Sequence, residues 1–157
     1  MVVIDTDVLT LAYAFHRDPR QAINTQFLSA AQAQRPATTI YSVMELLGKL
    51  SFNLPAERLA KWPLWLQARY RLSVLYPRLT GMTADAFFHG EIVDRPFAKM
   101  QRCQMPFLDS LILMLSKETP GVDVFVTWNA RHYQGKTSLT VLTPAEYLGT
   151  LDLESEL

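Results

Sequence analysis

The chain has 157 residues, nearly half of them hydrophobic and about a fifth charged, with a formal net charge of zero. This composition excludes a disordered chain, argues against a strongly basic nucleic-acid binder and predicts one domain over residues 1–157 with a sizeable core. A single cysteine excludes a disulfide framework and a cysteine-rich zinc site, and the apolar runs are too short to cross a membrane.

The N-terminal part begins with a short apolar, β-branched run that stops at an acid. We predict a buried strand over about Val2 to Asp5, then an amphipathic helix and a second helix over about Arg20 to Gln34. A second strand is predicted over residues 37–41, where β-branched residues favour a pleated surface. A third helix is predicted from Ser42 to about Phe52, and Ser42 followed three residues later by Glu45 is a capping box.

Residues 53–105 form a helical, aromatic-rich region with few clear boundaries. A helix is predicted over about Ala56 to Arg69, kinked or interrupted at Pro63. A third strand is expected over residues 72–76 and another helix over residues 83–93.

The C-terminal third is easier to interpret. It contains a strongly apolar helix over residues 107–117, a strand over residues 122–127, a last strand over residues 139–142 and a short helix from Thr143. Because strands alternate with helices, and two of the strands are apolar on both faces, we predict an α/β fold. Its central sheet is expected to have about four or five mostly parallel strands, covered by helices.

Four polar residues are expected at one edge of that sheet. Asp5, Glu45 and Asn129 follow predicted strands, and Asp109 begins the helix that leads back to the next strand. Ligand sites of open parallel sheets lie outside the carboxyl ends of the strands. Three carboxylates brought together repel unless a divalent cation neutralises them, and oxygen ligands favour Mg²⁺ or Mn²⁺ over zinc.

A family resemblance rests on the segments VVIDTDVLTLAY, SVMELLGKL, MPFLDSLILML and VFVTWNARHY. In this order they resemble the PIN domain, particularly the VapC-type ribonuclease toxins, and the C-terminal TVLTPAEYL is similar to the last strand and helix of that family. The resemblance implies a three-layer α/β/α fold. It also implies a cytoplasmic, metal-dependent endoribonuclease that hydrolyses RNA phosphodiester bonds.

The resemblance also assigns roles and partners. By match with the family, Asp5 and Asp109 bind the metal, and Glu45 binds the metal or orients the attacking water. Asn129 stands where the family has Asp or Asn and supports the water shell, and Thr6 and Thr127 are hydroxyl supports. The implied partners are an RNA substrate, a second copy of the chain in a homodimer, and the cognate antitoxin of a type II toxin–antitoxin pair.

Structural roles stay open for several of these residues. Glu45 is either a ligand or only the capping partner of Ser42, and Asp109 is either a ligand or a favourable charge at its helix N-terminus. Asn129 is either an N-cap or a contact of the metal-bound water. Asp7 is expected to cap the first helix rather than to bind metal.

Other polar and aromatic residues are given mainly structural roles. Arg131 and Lys136 are candidates to contact RNA phosphates, with a solvated surface role equally open. Asp123 begins its strand, so it is expected far from the carboxyl edge. The three histidines lack ligand spacing, and we expect them to be surface or core-edge residues: His16, His89 and His132. We expect the aromatic group of Trp62, Trp65 and Tyr70 to pack against a helix or a partner.

Two other function classes were weighed. A haloacid-dehalogenase-type phosphatase also begins with a strand and an Asp-x-Asp turn, but Leu9 stands where it needs threonine or valine, and a later paired acidic motif is missing. The alternative that stays open is a PIN-like RNA-binding or scaffolding module without catalysis, which the neutral charge and Asn129 favour.

Overall fold

The computed structural model of the chain describes residues 1–155. The strands within that range are β1 (Val2–Ile4), β2 (Pro36–Thr39), β3 (Ser73–Leu75), β4 (Val124–Val126) and β5 (Thr140–Leu142). They form a single all-parallel sheet in the order β3-β2-β1-β4-β5. The α/β class and the five-stranded parallel sheet predicted from the sequence are therefore confirmed.

Helices occupy most of the remaining chain. The α-helices are α1 (Thr6–Ala14), α2 (Gln21–Ala30), α3 (Ile40–Ser51), α4 (Ala56–Tyr70), α5 (Ala84–Phe88), α6 (Arg95–Cys103), α7 (Phe107–Glu118), α8 (Ala130–Tyr133) and α9 (Pro144–Ser155). A 3₁₀ turn (Ala31–Gln34) follows α2, and a π-helical stretch (His89–Asp94) joins α5 to α6. No helix of residues 1–155 combines the length and the hydropathy that a membrane span needs.

The sheet is covered by helices on both faces, and β1 shows why. Its side chains are fully buried and alternate between the faces, as the two-residue period of a strand requires. Val2 and Ile4 pack with residues of α1, α2, α3, α4 and α9, whereas Val3 packs with residues of α7 and α8. The result is the three-layer α/β/α arrangement that the resemblance implied.

The strand order creates a switch point beside β1. The chain passes from β1 to β2 and β3 on one side, then crosses to β4 and β5 on the other side. Crevices form at the carboxyl ends of strands where the winding direction reverses in this way. The end of β1, and Asp5 directly after it, therefore lies at the position that topology favours for a ligand site.

Several predicted helix boundaries are wrong. Helix α3 begins at Ile40, and its cap is Thr39, whose Oγ1 accepts a hydrogen bond from the Ser42 amide at 3.0 Å. The Ser42–Glu45 capping box is therefore absent, and the second strand ends before residue 40. Helix α4 runs through Pro63 without interruption. The predicted helix over residues 83–93 continues through the π-helical stretch into α6.

The aromatic group packs against a helix, as predicted. The ring of Tyr13 in α1 lies 4.4 Å from Trp62, 5.1 Å from Trp65 and 6.1 Å from Tyr70, measured between centroids. The largest rings of α4 thus fasten that helix to α1, on the face of the sheet that holds Val2 and Ile4.

Candidate metal and nuclease site

Three carboxylates from three separate elements meet at the carboxyl edge of the sheet. Asp5 follows β1, Glu45 lies in the second turn of α3, and Asp109 lies in the first turn of α7. The charge of Glu45 raises the pKa of both Asp5 and Asp109. The fold therefore brings the three predicted acids close enough to interact electrostatically.

Asp5 is the most strongly perturbed acid of the group. It is only 5% exposed and caps α1, where its Oδ1 accepts a hydrogen bond from the Thr6 amide at 2.7 Å. Burial raises the pKa of Asp5 to about 8, with a further contribution from the negative charge of Asp7. Hydrogen bonds from Thr127 and Thr6 act in the opposite direction and are too weak to offset burial.

Asp7 belongs to the same cluster, and its predicted role as the helix cap is wrong because Asp5 takes that position. The Oδ2 atom of Asp7 accepts hydrogen bonds from the Thr127 hydroxyl at 2.9 Å and from the Asn129 amide at 3.2 Å. Burial raises the pKa of Asp7. Its Oδ1 atom is buried without a hydrogen-bond partner among the described residues. The sequence signal was the Asp-x-Asp pattern, in which the two acids are two positions apart.

Asp109 has a neighbour that the sequence did not reveal. Its Oδ2 atom lies 3.2 Å from Nε2 of His132, and each of the two side chains is about one-quarter exposed. Burial raises the pKa of Asp109, and the charges of His132 and Glu45 act on it in opposite directions. His132 is partly exposed, as expected of a core-edge residue, but its contact with Asp109 was not predicted. Asp109 and His132 are 23 positions apart, so no local spacing indicated the contact.

Glu45 forms a salt bridge with a lysine of its own helix. Its Oε1 atom lies 2.8 Å from Nζ of Lys49, one turn further along α3. The Glu45 side chain is about one-quarter exposed, so it is reachable from solvent. Its role as a ligand or as a water-orienting group stays a prediction, whereas the capping role is excluded.

The polar residues after β4 act mainly through Thr127 and through the backbone. Thr127 is fully buried, and its hydroxyl also accepts a hydrogen bond from the Asn129 amide at 3.1 Å. The Asn129 side chain is exposed and makes no capping hydrogen bond at the start of α8. The Thr6 hydroxyl is buried, with no hydrogen-bond partner in the described part of the chain. The predicted support roles of Thr6, Thr127 and Asn129 remain predictions.

The two candidate RNA contacts differ in their surroundings. Arg131 is exposed on α8. Lys136 is partly buried, and its Nζ donates a hydrogen bond of 3.4 Å to the Gln104 carbonyl. The ammonium group of Lys136 is therefore held by a hydrogen bond, whereas Arg131 is exposed to solvent. Phosphate binding by either residue stays a prediction.

The donor set suits a hard divalent cation. The cluster offers carboxylates and the hydroxyl of Thr6, and oxygen ligands are those that Mg²⁺ and Mn²⁺ prefer. The raised pKa values of Asp5, Asp7 and Asp109 report repulsion and desolvation that a cation would relieve. No group of three His, Cys, Asp or Glu side chains in residues 1–155 forms a ready-made metal site. A cation at this edge would therefore need water ligands in addition to the protein oxygens.

A cavity elsewhere in the fold is a poorer candidate for the reaction. A cavity of about 520 Å³ is lined by residues 74–78, Glu91, Arg95 and Glu118, and none of the predicted site residues borders it. The two carboxylates in its walls, Glu91 and Glu118, are both paired with Arg95, so the acid cluster remains the better site for a reaction.

Comparison with known proteins identifies the fold. No family model and no curated protein matches the sequence. Three solved structures match with a probability of 1.00: the Rickettsia felis VapBC2 complex bound to a promoter DNA fragment, VapBC-1 from nontypeable Haemophilus influenzae and a toxin–antitoxin complex from Klebsiella pneumoniae.

The similarity extends along almost the whole chain. The respective TM-scores are 0.60, 0.61 and 0.55, at 16%, 17% and 15% identity. The alignments cover 91%, 92% and 92% of this chain and 98%, 99% and 98% of the matched chains. The chain thus has the fold found in these toxin–antitoxin complexes, which confirms the fold implied by the PIN-domain resemblance.

Proposed function

We propose that the protein is a Mg²⁺- or Mn²⁺-dependent endoribonuclease that hydrolyses RNA phosphodiester bonds. The observation that carries this proposal is the convergence of Asp5, Glu45 and Asp109 at the switch point of the sheet. Glu45 raises the pKa of both other acids there. A buried acid cluster without a balancing cation is costly for stability, and such clusters are typical of functional sites.

The residues divide the work by position. Asp5 and Asp109 would hold the cation, and Glu45 would either join them or accept a proton from the attacking water. Thr127 donates a hydrogen bond to Asp7, which would keep this acid oriented. A bound divalent ion supplies a more acidic water and stabilises negative charge on the phosphate during in-line displacement. Arg131, which is exposed on α8, would contact a phosphate of the RNA.

The biological setting follows from the structural neighbours. Each of the three matched structures is a toxin–antitoxin complex, and the fold covers nearly all of the matched chain. We therefore propose that this chain is the cytoplasmic toxin of a type II pair. Its partners would be an RNA substrate, a cognate antitoxin protein and a second copy of itself in a homodimer.

The competing proposal is a PIN-like RNA-binding or scaffolding module without catalysis. Two observations favour it. Lys49 already neutralises part of Glu45, and the fourth motif supplies the amide Asn129 rather than an acid. This module would bind RNA without cleaving it.

One experiment separates the two functions. Purified protein is incubated with structured RNA and Mg²⁺ or Mn²⁺, beside Asp5→Asn and beside Asp123→Asn as a matched control. Asp123 is 80% exposed and pairs with the N-terminus at 3.6 Å. We expect cleavage by the wild type and the control, and loss of cleavage in Asp5→Asn and in EDTA. RNA binding with equal, residual cleavage in all three proteins would favour the scaffolding module.

A further inference from the structure

His132 and Asp109 are adjacent side chains from α8 and α7. Nε2 of His132 and Oδ2 of Asp109 are 3.2 Å apart, close enough for an ion pair when the ring is protonated. Nε2 is buried and has no hydrogen-bond partner among the described residues. Two potential ligand atoms, a ring nitrogen and a carboxylate oxygen, therefore lie side by side.

We propose that His132 is a nitrogen ligand of the candidate metal site, together with Asp109, and that it makes the site select Mn²⁺ over Mg²⁺. This inference rests on the proposed metal site and goes beyond it, because the predicted ligands are all oxygen atoms. It assigns a function to a residue that the sequence pattern left without one.

The spacing of the two atoms suits a shared cation. Neighbouring ligands of an octahedral ion with bonds of about 2.1 Å are separated by about 3 Å. The observed 3.2 Å between Nε2 and Oδ2 matches that separation. Both side chains are about one-quarter exposed, although the Nε2 atom itself is buried.

The ring of His132 is held in place by its helix. Its neighbour Tyr133 is buried and packs against Phe125 of β4 with ring centroids 5.1 Å apart. The rings of His132 and Tyr133 meet edge to face at 5.1 Å. Helix α8 is thus anchored to the sheet, and His132 needs little rearrangement to reach a cation beside Asp109.

The chemistry of imidazole explains the selectivity. Mg²⁺ binds oxygen donors almost exclusively in proteins, and it keeps several waters. Affinity for a nitrogen ligand rises along the first-row transition ions, with Mn²⁺ at the low end of that series. Replacing one oxygen ligand by imidazole therefore handicaps Mg²⁺ more than Mn²⁺.

The chain supplies a matched control. His89 also lies near a carboxylate, with Nε2 3.8 Å from Oδ1 of Asp85, but both side chains are well exposed. The third histidine, His16, is exposed after the end of α1. Only His132 among the three lies against one of the predicted ligands.

The test measures coordination directly, without an activity assay. Mn²⁺ is added to the full-length, metal-free protein, and pulsed electron paramagnetic resonance records whether a ¹⁴N nucleus couples to the ion. Affinities for Mn²⁺ and, by competition, for Mg²⁺ are measured in the same samples. The proteins are the wild type, His132→Gln, His132→Glu and the control His89→Gln, each checked for its fold by circular dichroism.

We expect ¹⁴N coupling in the wild type and in His89→Gln, and none in His132→Gln. The Mn²⁺ affinity of His132→Gln should fall about tenfold, with a change in Mg²⁺ affinity of less than about twofold. His132→Glu, which restores an oxygen donor, should bind Mg²⁺ more tightly than the wild type does.

Two results would overturn the inference: Mn²⁺ bound without ¹⁴N coupling in the wild type, or an unchanged ratio of the two affinities in His132→Gln. Either result leaves RNA cleavage by an all-oxygen site intact. Conversely, nitrogen coupling in a protein that cleaves no RNA would contradict the proposed function and retain His132 as a ligand.

Discussion

Two buried carboxylates, Asp5 and Glu91, show how differently the same fold treats a charge. Each is 5% exposed. Glu91, in the π-helical stretch, accepts a hydrogen bond from the Tyr41 hydroxyl at 2.7 Å and another from Arg95 at 3.0 Å. Arg95 also pairs with Glu118. Asp5 accepts a hydrogen bond from the Thr6 amide, but no basic side chain lies within ion-pair distance of it in residues 1–155.

The difference separates a structural charge, Glu91, from one for which we propose a function, Asp5. Both oxygens of Glu91 have donors, so its network joins α3, the π-helical stretch, α6 and α7. Such a network is self-sufficient and fixes the packing of these elements. Asp5 lies among other acids, and no basic side chain of residues 1–155 balances its charge. An incomplete buried charge is typical of functional sites, and the proposed cation would complete it.

The largest effect is expected where the incomplete charge is removed. Asp5→Asn should lower RNA cleavage at least about a hundredfold, because a neutral amide is a poor ligand for Mg²⁺ or Mn²⁺. Stability should be unchanged or higher at neutral pH, since asparagine also caps helices and carries no buried charge. Rates of RNA cleavage and thermal midpoints, measured on the same samples, check both parts. A large loss of stability would mean that Asp5 resembles Glu91 after all.

The opposite pattern is expected in the complete network. Arg95→Met should destabilise the protein by about 1–3 kcal/mol, since Glu91 would lose its cationic partner while staying buried. The Arg95 side chain is itself 42% exposed, which keeps the cost below that of a fully buried pair. Cleavage should be nearly unchanged. Chemical denaturation gives the free energy of unfolding.

Exposed Arg102, on the same helix α6, supplies the matched control as Arg102→Met. This variant should change the free energy of unfolding by less than about 0.5 kcal/mol. Equal effects of the two substitutions would show that the Glu91 network adds nothing specific to stability.

A pH series should reveal the incomplete charge as well. Burial raises the pKa of Asp5 from 3.8 to about 8, so between these values the native protein binds more protons than the unfolded chain. Stability in EDTA should therefore fall as pH rises from about 4 to about 8, with a slope of about one proton from Asp5. Asp7 and Asp109 shift in the same direction and add to the slope.

Asp5→Asn should flatten that profile, leaving the part that comes from Asp7 and Asp109. Addition of Mn²⁺ to the wild type should restore stability at the high end of the range, because the ion binds the ionised carboxylates. A wild-type stability that rises between pH 4 and 8 in EDTA would contradict the assignment of Asp5 as an uncompensated acid.

The sequence was sufficient to predict which acids lie at the carboxyl edge of the sheet. Apolar strands followed by acids predicted a parallel sheet, and parallel strands bring their carboxyl ends to one edge. Asp5, Glu45 and Asp109 could therefore be grouped before any coordinates were known. Asp7 could not be placed, because the Asp-x-Asp pattern does not say which acid caps the helix. The rotation of α1 decides that, with Asp5 as the cap and Asp7 turned toward Thr127.

The contacts between elements far apart in the chain could not be predicted from the sequence. His132 meets Asp109 through the packing of α8 beside α7, and neither helix carries a pattern that indicates the other. The Glu91 network was hidden for a different reason. The π-helical stretch shifts the phase of the side chains, so the regular helical period ends near residue 89 although the helix itself continues into α6. Sequence periodicity therefore predicted the helix but neither its length nor the direction of Glu91.

The smallest effect is expected at Glu45. Lys49 balances the charge of this carboxylate only in part, so Glu45 is intermediate between the unpaired Asp5 and the paired Glu91. Lys49→Met should raise the affinity for Mn²⁺ about two- to fivefold, since it frees the carboxylate and removes a positive charge near the cation. The pair spans one helical turn at the surface, so stability should change by less than about 0.5 kcal/mol. Lys61→Met, at an exposed lysine of α4, is the control. Equal Mn²⁺ affinities in titrations of both variants would place Glu45 outside the metal site and leave Asp5 and Asp109 as its acidic ligands.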